Sequence, residues 1–153
     1  MRRVDQWLMD YGASHQNRTN KRLHWVCVPV IVWCVIALLW QTPIFGGPQT
    51  YWNWALIAVA AALLYYASMS VPLALGACVL LAAMLVSIAF VQRWSPAPLW
   101  QVATVLFVLA WIGQFIGHRI EGKRPSFFQD LQFLLIGPLW LLADLYRRFG
   151  IPT

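Results

Sequence analysis

The segment LALGACVLLAAMLVSIAFV, Leu73 to Val91, decides the fold because it contains nineteen residues without a charged side chain. A helix needs roughly 20 apolar residues to cross a bilayer. The pattern continues on both sides, since Arg93 is the one charged residue between Leu23 and Gly117. Over the whole chain 10% of residues are charged, against about 25% in soluble domains. The sequence therefore predicts an all-α membrane protein and excludes a water-soluble globule.

Turn-forming residues divide the apolar region into four predicted transmembrane helices. They cover residues 23–40, 51–69, 73–91 and 99–117. A polar helical head, residues 1–22, precedes this four-span core of 23–117, and a motif segment, 118–153, follows it within a single domain. Thr19 or Asn20 is expected to cap the first span.

A fifth apolar stretch, residues 127–146, contains Asp130, Pro138 and Asp144. Proline inside a helix removes a hydrogen bond and produces a kink. Irregular backbone at membrane depth is tolerated only where protein or water covers it. We therefore expect an interfacial or re-entrant helical segment that packs against the bundle.

Basic residues lie on one side of the predicted spans, with Arg93 in the second outer loop as the single exception. The head contains five of them, whereas the loop 41–50 contains none. The positive-inside rule then places both termini in the cytoplasm, at the inner membrane if the protein is bacterial. These charges predict contact with anionic lipid rather than with nucleic acid. Small residues on the second and third spans permit close packing within one chain or in a homo-oligomer.

The chain has three histidines, His15, His24 and His118, and four spans bring all of them to the cytoplasmic face. Glu121 follows His118 by three residues, so both share a helix face if the helix continues that far. Two histidines and a carboxylate with open positions suit non-haem Fe(II) that reacts with oxygen. The competing interpretation is three unrelated interfacial histidines without a metal.

Several polar residues lie near the histidines in the sequence. Gln114 comes one turn before His118 and is expected to orient it through a hydrogen bond. The full set of candidates for a ligand, catalytic or supporting role is Tyr11, Asn17, Asn20, Gln114, Glu121 and Asp130.

Two motifs flank the four-span core. The first is YGASHQNRTNKRLHWVCVP, Tyr11 to Pro29, and the second is QFIGHRIEGKRPSFFQDLQFLLIGP, Gln114 to Pro138. Together they resemble the Mpo1-like family, also called DUF962, and look closest to its bacterial branch. The resemblance implies a membrane-embedded Fe(II)-dependent dioxygenase. Such an enzyme shortens 2-hydroxy fatty acids by one carbon with O₂, a reaction called α-oxidation.

The resemblance also implies roles for particular residues. It assigns iron ligation to His15, His24 and His118, and it leaves Glu121 as a ligand or a supporting residue. A 2-hydroxy acid can chelate Fe(II) through its hydroxyl and carboxylate. The candidates for attracting that carboxylate are Arg119, Lys123 and Arg124, with contact to lipid phosphate as the alternative.

Two other functions stay open on the sequence. One is a non-catalytic membrane module that binds lipid or a partner protein. The other is a zinc-dependent lipid hydrolase, because imidazole ligands also suit zinc. Metal content separates the first from an iron enzyme, and dependence on oxygen separates the second.

Overall fold

The computed structural model describes residues 4–13, 16–45, 52–122 and 135–151. Within these ranges the chain forms six α-helices and no β-strand, which confirms the all-α prediction. The helices are α1 (Val4–Ala13), α2 (Arg18–Trp40), α3 (Trp54–Met69), α4 (Val71–Trp94), α5 (Leu99–Glu121) and α6 (Ile136–Arg148).

Among the described residues, three helices are long and apolar enough to cross a membrane: α2 with 23 residues, α4 with 24 and α5 with 23. Their outward faces are apolar as well, with Val79, Phe90 and Leu109 exposed. A surface of this kind is suited to lipid. The chain is therefore a membrane protein, and the side on which its termini lie stays a prediction.

The second predicted span is shorter than expected. Helix α3 begins at Trp54 rather than Tyr51 and has 16 residues, about 24 Å at 1.5 Å per residue, against a hydrocarbon core of about 30 Å. Asn53 sets its start, because the Asn53 side chain accepts a hydrogen bond from the backbone N–H of Leu56. The bundle thus has three long helices and one short helix.

Two helices extend further than the apolar runs indicate. Helix α2 begins at Arg18 because Asn17 is its cap, accepting hydrogen bonds from the backbone N–H groups of Thr19 (2.8 Å) and Asn20 (3.4 Å). The prediction of Thr19 or Asn20 as the cap was wrong. Helix α5 continues to Glu121 and ends at Gly122, whose φ of 73° is a conformation that glycine adopts at little cost.

Helices α2 and α5 run antiparallel, since Asn20 contacts Gly117 while Cys27 contacts Gly113. The start of α2 and the end of α5 therefore lie together. We call this the histidine end of the bundle; α1, α6, the end of α3 and the start of α4 pack there around one hydrophobic cluster. In the described part of the chain, four exposed tryptophans lie at the opposite end, as in an aromatic belt: Trp52, Trp54, Trp94 and Trp100.

The last helix, α6, packs against the bundle as predicted for the stretch 127–146, of which residues 127–134 lie outside the described ranges. Its first half is buried, including Leu139 and Trp140. The Tyr66 hydroxyl donates to the Leu135 carbonyl at 2.8 Å. Pro138 does not kink α6, because it lies in the first turn, where backbone N–H groups have no partner within the helix. The depth of α6 in the membrane stays a prediction.

Candidate functional site

Glycines on α5 allow the two histidine-bearing helices to approach closely. A Cβ atom on Gly117 would lie 2.5 Å from Asn20 Oδ1, and one on Gly113 would lie 2.6 Å from Cys27 Sγ. Small residues at a membrane helix interface permit this kind of approach. Side chains beside the glycines, including His24 and His118, are brought together as a result.

The two imidazoles face each other between α2 and α5. Their ring centroids are 5.3 Å apart and their planes are nearly perpendicular. Both are buried, with 2% of His24 and 7% of His118 exposed. His24 Nδ1 lies 3.0 Å from the Asn20 carbonyl oxygen. Because a carbonyl can only accept, this contact makes Nδ1 the donor and leaves Nε2 without a proton, as a nitrogen that could accept a hydrogen bond or bind a metal.

Unpartnered amide oxygens lie close to this histidine pair. Asn20 is fully buried and Gln114 nearly so, and neither Asn20 Oδ1 nor Gln114 Oε1 has a hydrogen-bond partner in the described ranges. The expected bond from Gln114 to His118 is therefore not made through that oxygen. Leaving such a group unpaired costs about 1–3 kcal/mol, whereas buried polar atoms normally have a protein group or a water as partner. The two oxygens are therefore available to a water, an ion or a ligand.

Glu121 binds the N-terminal part of α2 and the residues before it. Its carboxylate accepts hydrogen bonds from the backbone N–H groups of Gln16 (2.7 Å) and Asn17 (3.0 Å) and from Asn20 Nδ2 (2.9 Å). These contacts bring together residues 104 positions apart. Hydrogen bonds of this kind suit a supporting residue, and both expected roles of Glu121, ligand and support, stay predictions.

Tyr11 connects the histidine pair to α6. It is buried, and its ring centroid lies 6.5 Å from that of His24 and 5.4 Å from that of Trp140. Sequence reasoning did not include Trp140 among the site residues. The signal available was weak, because α6 contains several large apolar residues with no polar motif around Trp140.

Some predicted site residues lie outside the described ranges: His15, Lys123, Arg124 and Asp130. Arg119, the third candidate for binding a carboxylate, is exposed on α5. Among the described residues no group of three His, Cys, Asp or Glu side chains could hold a metal ion. The described part of the site thus contains two of the three predicted ligands. Residue 15 directly precedes Gln16, whose backbone Glu121 binds.

These features define a class: helical membrane proteins with a buried polar site at one end of the bundle. The sequence model of the Mpo1-like family, described as 2-hydroxy-palmitic acid dioxygenase Mpo1-like, matches residues 1–149. The chain belongs to this family.

A similar protein is the 2-hydroxy-palmitic acid dioxygenase MPO1 of Saccharomyces cerevisiae. It is 28% identical over 144 residues, which cover 92% of this chain and 78% of the yeast protein. No solved structure matches the chain.

Proposed function

We propose that this protein is an Fe(II)-dependent dioxygenase that shortens 2-hydroxy fatty acids by one carbon with O₂. The observation that carries the proposal is the buried pair of His24 and His118, 5.3 Å apart and beside amide oxygens without partners. Membership in a family described as dioxygenases supports the reaction class. The name of the yeast relative supports a hydroxy fatty acid as the substrate.

The donor set fits a divalent metal. Two neutral imidazoles suit iron, and the buried, facing rings of His24 and His118 would hold it from adjacent helices. His15 would supply the third ligand. When bound, the iron would provide Lewis acidity and a place for substrate and oxygen to meet.

The remaining residues hold and shield these ligands. The Asn20 carbonyl fixes the ring orientation of His24. Glu121 holds the backbone after His15, so it would position that ligand without touching the metal. Tyr11 and Trp140 cover the pair on the α6 side and would exclude water from the reacting groups.

Metal analysis of anaerobically purified protein, with oxygen uptake on 2-hydroxypalmitate, tests the proposal. We expect one iron per chain, a product one carbon shorter, and loss of both iron and turnover in His24→Ala and His118→Ala. Gln101→Ala, exposed on α5 at the opposite end, is the control and should keep both.

Other results would refute the proposal in different ways. Zinc with oxygen-independent release of lipid products would indicate a hydrolase. No metal after anaerobic loading with Fe(II) would indicate a non-catalytic module that binds lipid or a partner. Full iron content in His24→Ala would remove His24 from the site.

A further inference from the structure

A groove of about 620 Å³ runs between α1 and α6 at the histidine end. Its volume falls in the range of ligand sites, about 300–1,000 Å³. Leu8, Met9 and Trp140 provide an apolar lining. The charged groups are Asp5, Lys21 and Arg147, which give a net charge of +1 (two cations and one anion). Such a lining suits a molecule with one apolar chain and one negative group.

Lys21 is the cation best placed to bind that negative group. It is half-buried, and its ammonium group has no hydrogen-bond or ion-pair partner in the described ranges. Arg147 is less available, since it lies 3.5 Å from the Asp144 carboxylate, which also binds Arg148 at 2.8 Å. Asp5 is exposed on α1, sixteen positions before Lys21 in the sequence.

The groove borders the candidate metal site. Lys21 comes three residues before His24 on α2, so the two side chains lie on neighbouring positions of one helix face. Gly12 and Gln16 line the groove and are joined by a hydrogen bond from Gln16 Nε2 to the Gly12 carbonyl (2.8 Å). His15 lies between them in the sequence. On the other side, Trp140 contacts Tyr11, which contacts His24.

We infer that this groove binds the substrate acid, with its carboxylate on Lys21 and its chain along Leu8, Met9 and Trp140. The inference rests on the proposed function, because it takes a 2-hydroxy fatty acid as the ligand. It assigns the carboxylate to Lys21 rather than to Arg119, Lys123 or Arg124. Lys21 precedes His24 by about one helical turn, so a carboxylate bound to Lys21 is on the side of the groove that borders the histidine pair, where a chelating hydroxy acid has to present its head.

Binding of labelled 2-hydroxypalmitate and of its methyl ester to metal-free protein in neutral detergent tests the inference. Lys21→Gln should weaken binding of the acid about tenfold, as expected for a charge-assisted hydrogen bond. Binding of the ester, which has no negative charge, should change less than about twofold. Lys21→Arg should keep the wild-type affinity for the acid. Arg22→Gln is the matched control: Arg22 is the adjacent residue, is exposed and does not line the groove.

Each other outcome overturns the inference. Equal losses in Lys21→Gln and Arg22→Gln would show a general effect of surface charge, and an equal loss for the ester would show damage to the apolar lining. If Lys21→Gln weakens binding to phosphatidylglycerol vesicles but not to the acid, the groove holds a lipid headgroup.

Turnover separates this inference from the proposed function. If the iron-loaded Lys21→Gln variant has the wild-type KM for 2-hydroxypalmitate, the groove is not the substrate site, while the proposed dioxygenase activity is unaffected. Conversely, Lys21-dependent binding of the acid by a protein that never consumes oxygen would support the groove and refute the proposed reaction.

Discussion

Replacing Glu121 with alanine removes the carboxylate that joins the end of α5 to the start of α2. It accepts hydrogen bonds from Gln16, Asn17 and Asn20 at 2.7–3.0 Å. Bonds to a charged group contribute about 1.5–3 kcal/mol each. The amides of Gln16 and Asn17 are exposed and can bind water instead, so the loss at Asn20 dominates. Asn20 is fully buried and already has an unpartnered oxygen. We expect Glu121→Ala to lower the free energy of unfolding by about 2–3 kcal/mol.

Reversible unfolding in mixed detergent micelles, followed by circular dichroism, measures this change. Asp144→Ala is the control, because Asp144 forms exposed ion pairs with Arg147 and Arg148. Pairs of that kind contribute at most about 1 kcal/mol. If both variants lower stability equally, the carboxylate of Glu121 does not hold the two helices together and the reasoning is refuted.

Iron titration of the same variant separates a supporting role from ligation. A supporting Glu121 should leave one iron per chain but weaken its affinity about 10–100-fold, as loss of a group that orients a ligand does. Complete loss of iron, as expected for His118→Ala, would instead make Glu121 a ligand. Glu121→Gln should fall between wild type and Glu121→Ala, because its amide keeps one acceptor oxygen.

Two further predictions concern helix packing. Gly113→Ala should destabilise the bundle by about 1–3 kcal/mol, the usual cost of overpacking, because the new Cβ would meet Cys27 Sγ. In a double-mutant cycle, Cys27→Ala should recover part of that loss. If the losses of the two variants simply add, the two residues are not in contact. Tyr66→Phe removes the hydrogen bond to the Leu135 carbonyl and should speed amide hydrogen exchange in α6. The neighbouring Tyr65→Phe has no such bond to remove and is its control; equal exchange rates in the two variants would show that the bond does not hold α6.

The fold was predictable from composition where the helices are apolar, but their ends were not. Apolar runs locate α4 and α5 to within a few residues, because lipid contact requires uninterrupted apolar surface. The same criterion misses the first turn of α2, since Arg18 and Lys21 are polar while Asn17 supplies the cap. The predicted caps, Thr19 and Asn20, lie close to the apolar run, whereas the actual cap, Asn17, comes before a polar first turn.

The site was predictable only in part, because it depends on how two helices face each other. An even number of spans places His24 and His118 at one end, and the structure brings them into contact. The bonds of Glu121 to residues about 100 positions away depend on the register between α2 and α5. The glycines on α5 set where and how closely the two helices approach, and therefore which residues face each other. The spacing of residues within either motif does not encode this register.

Asn20 takes part both in the packing of α2 against α5 and in the hydrogen bonds that orient His24. Its backbone carbonyl orients His24, its side-chain nitrogen binds Glu121, and its side-chain oxygen lies against Gly117. A larger residue at 117 would therefore displace the same side chain that connects the carboxylate to the histidine-bearing turn. Because groups in one hydrogen-bonded network act together, changes at Gly117, Asn20 and Glu121 act on His24 through a single connection rather than as three independent effects.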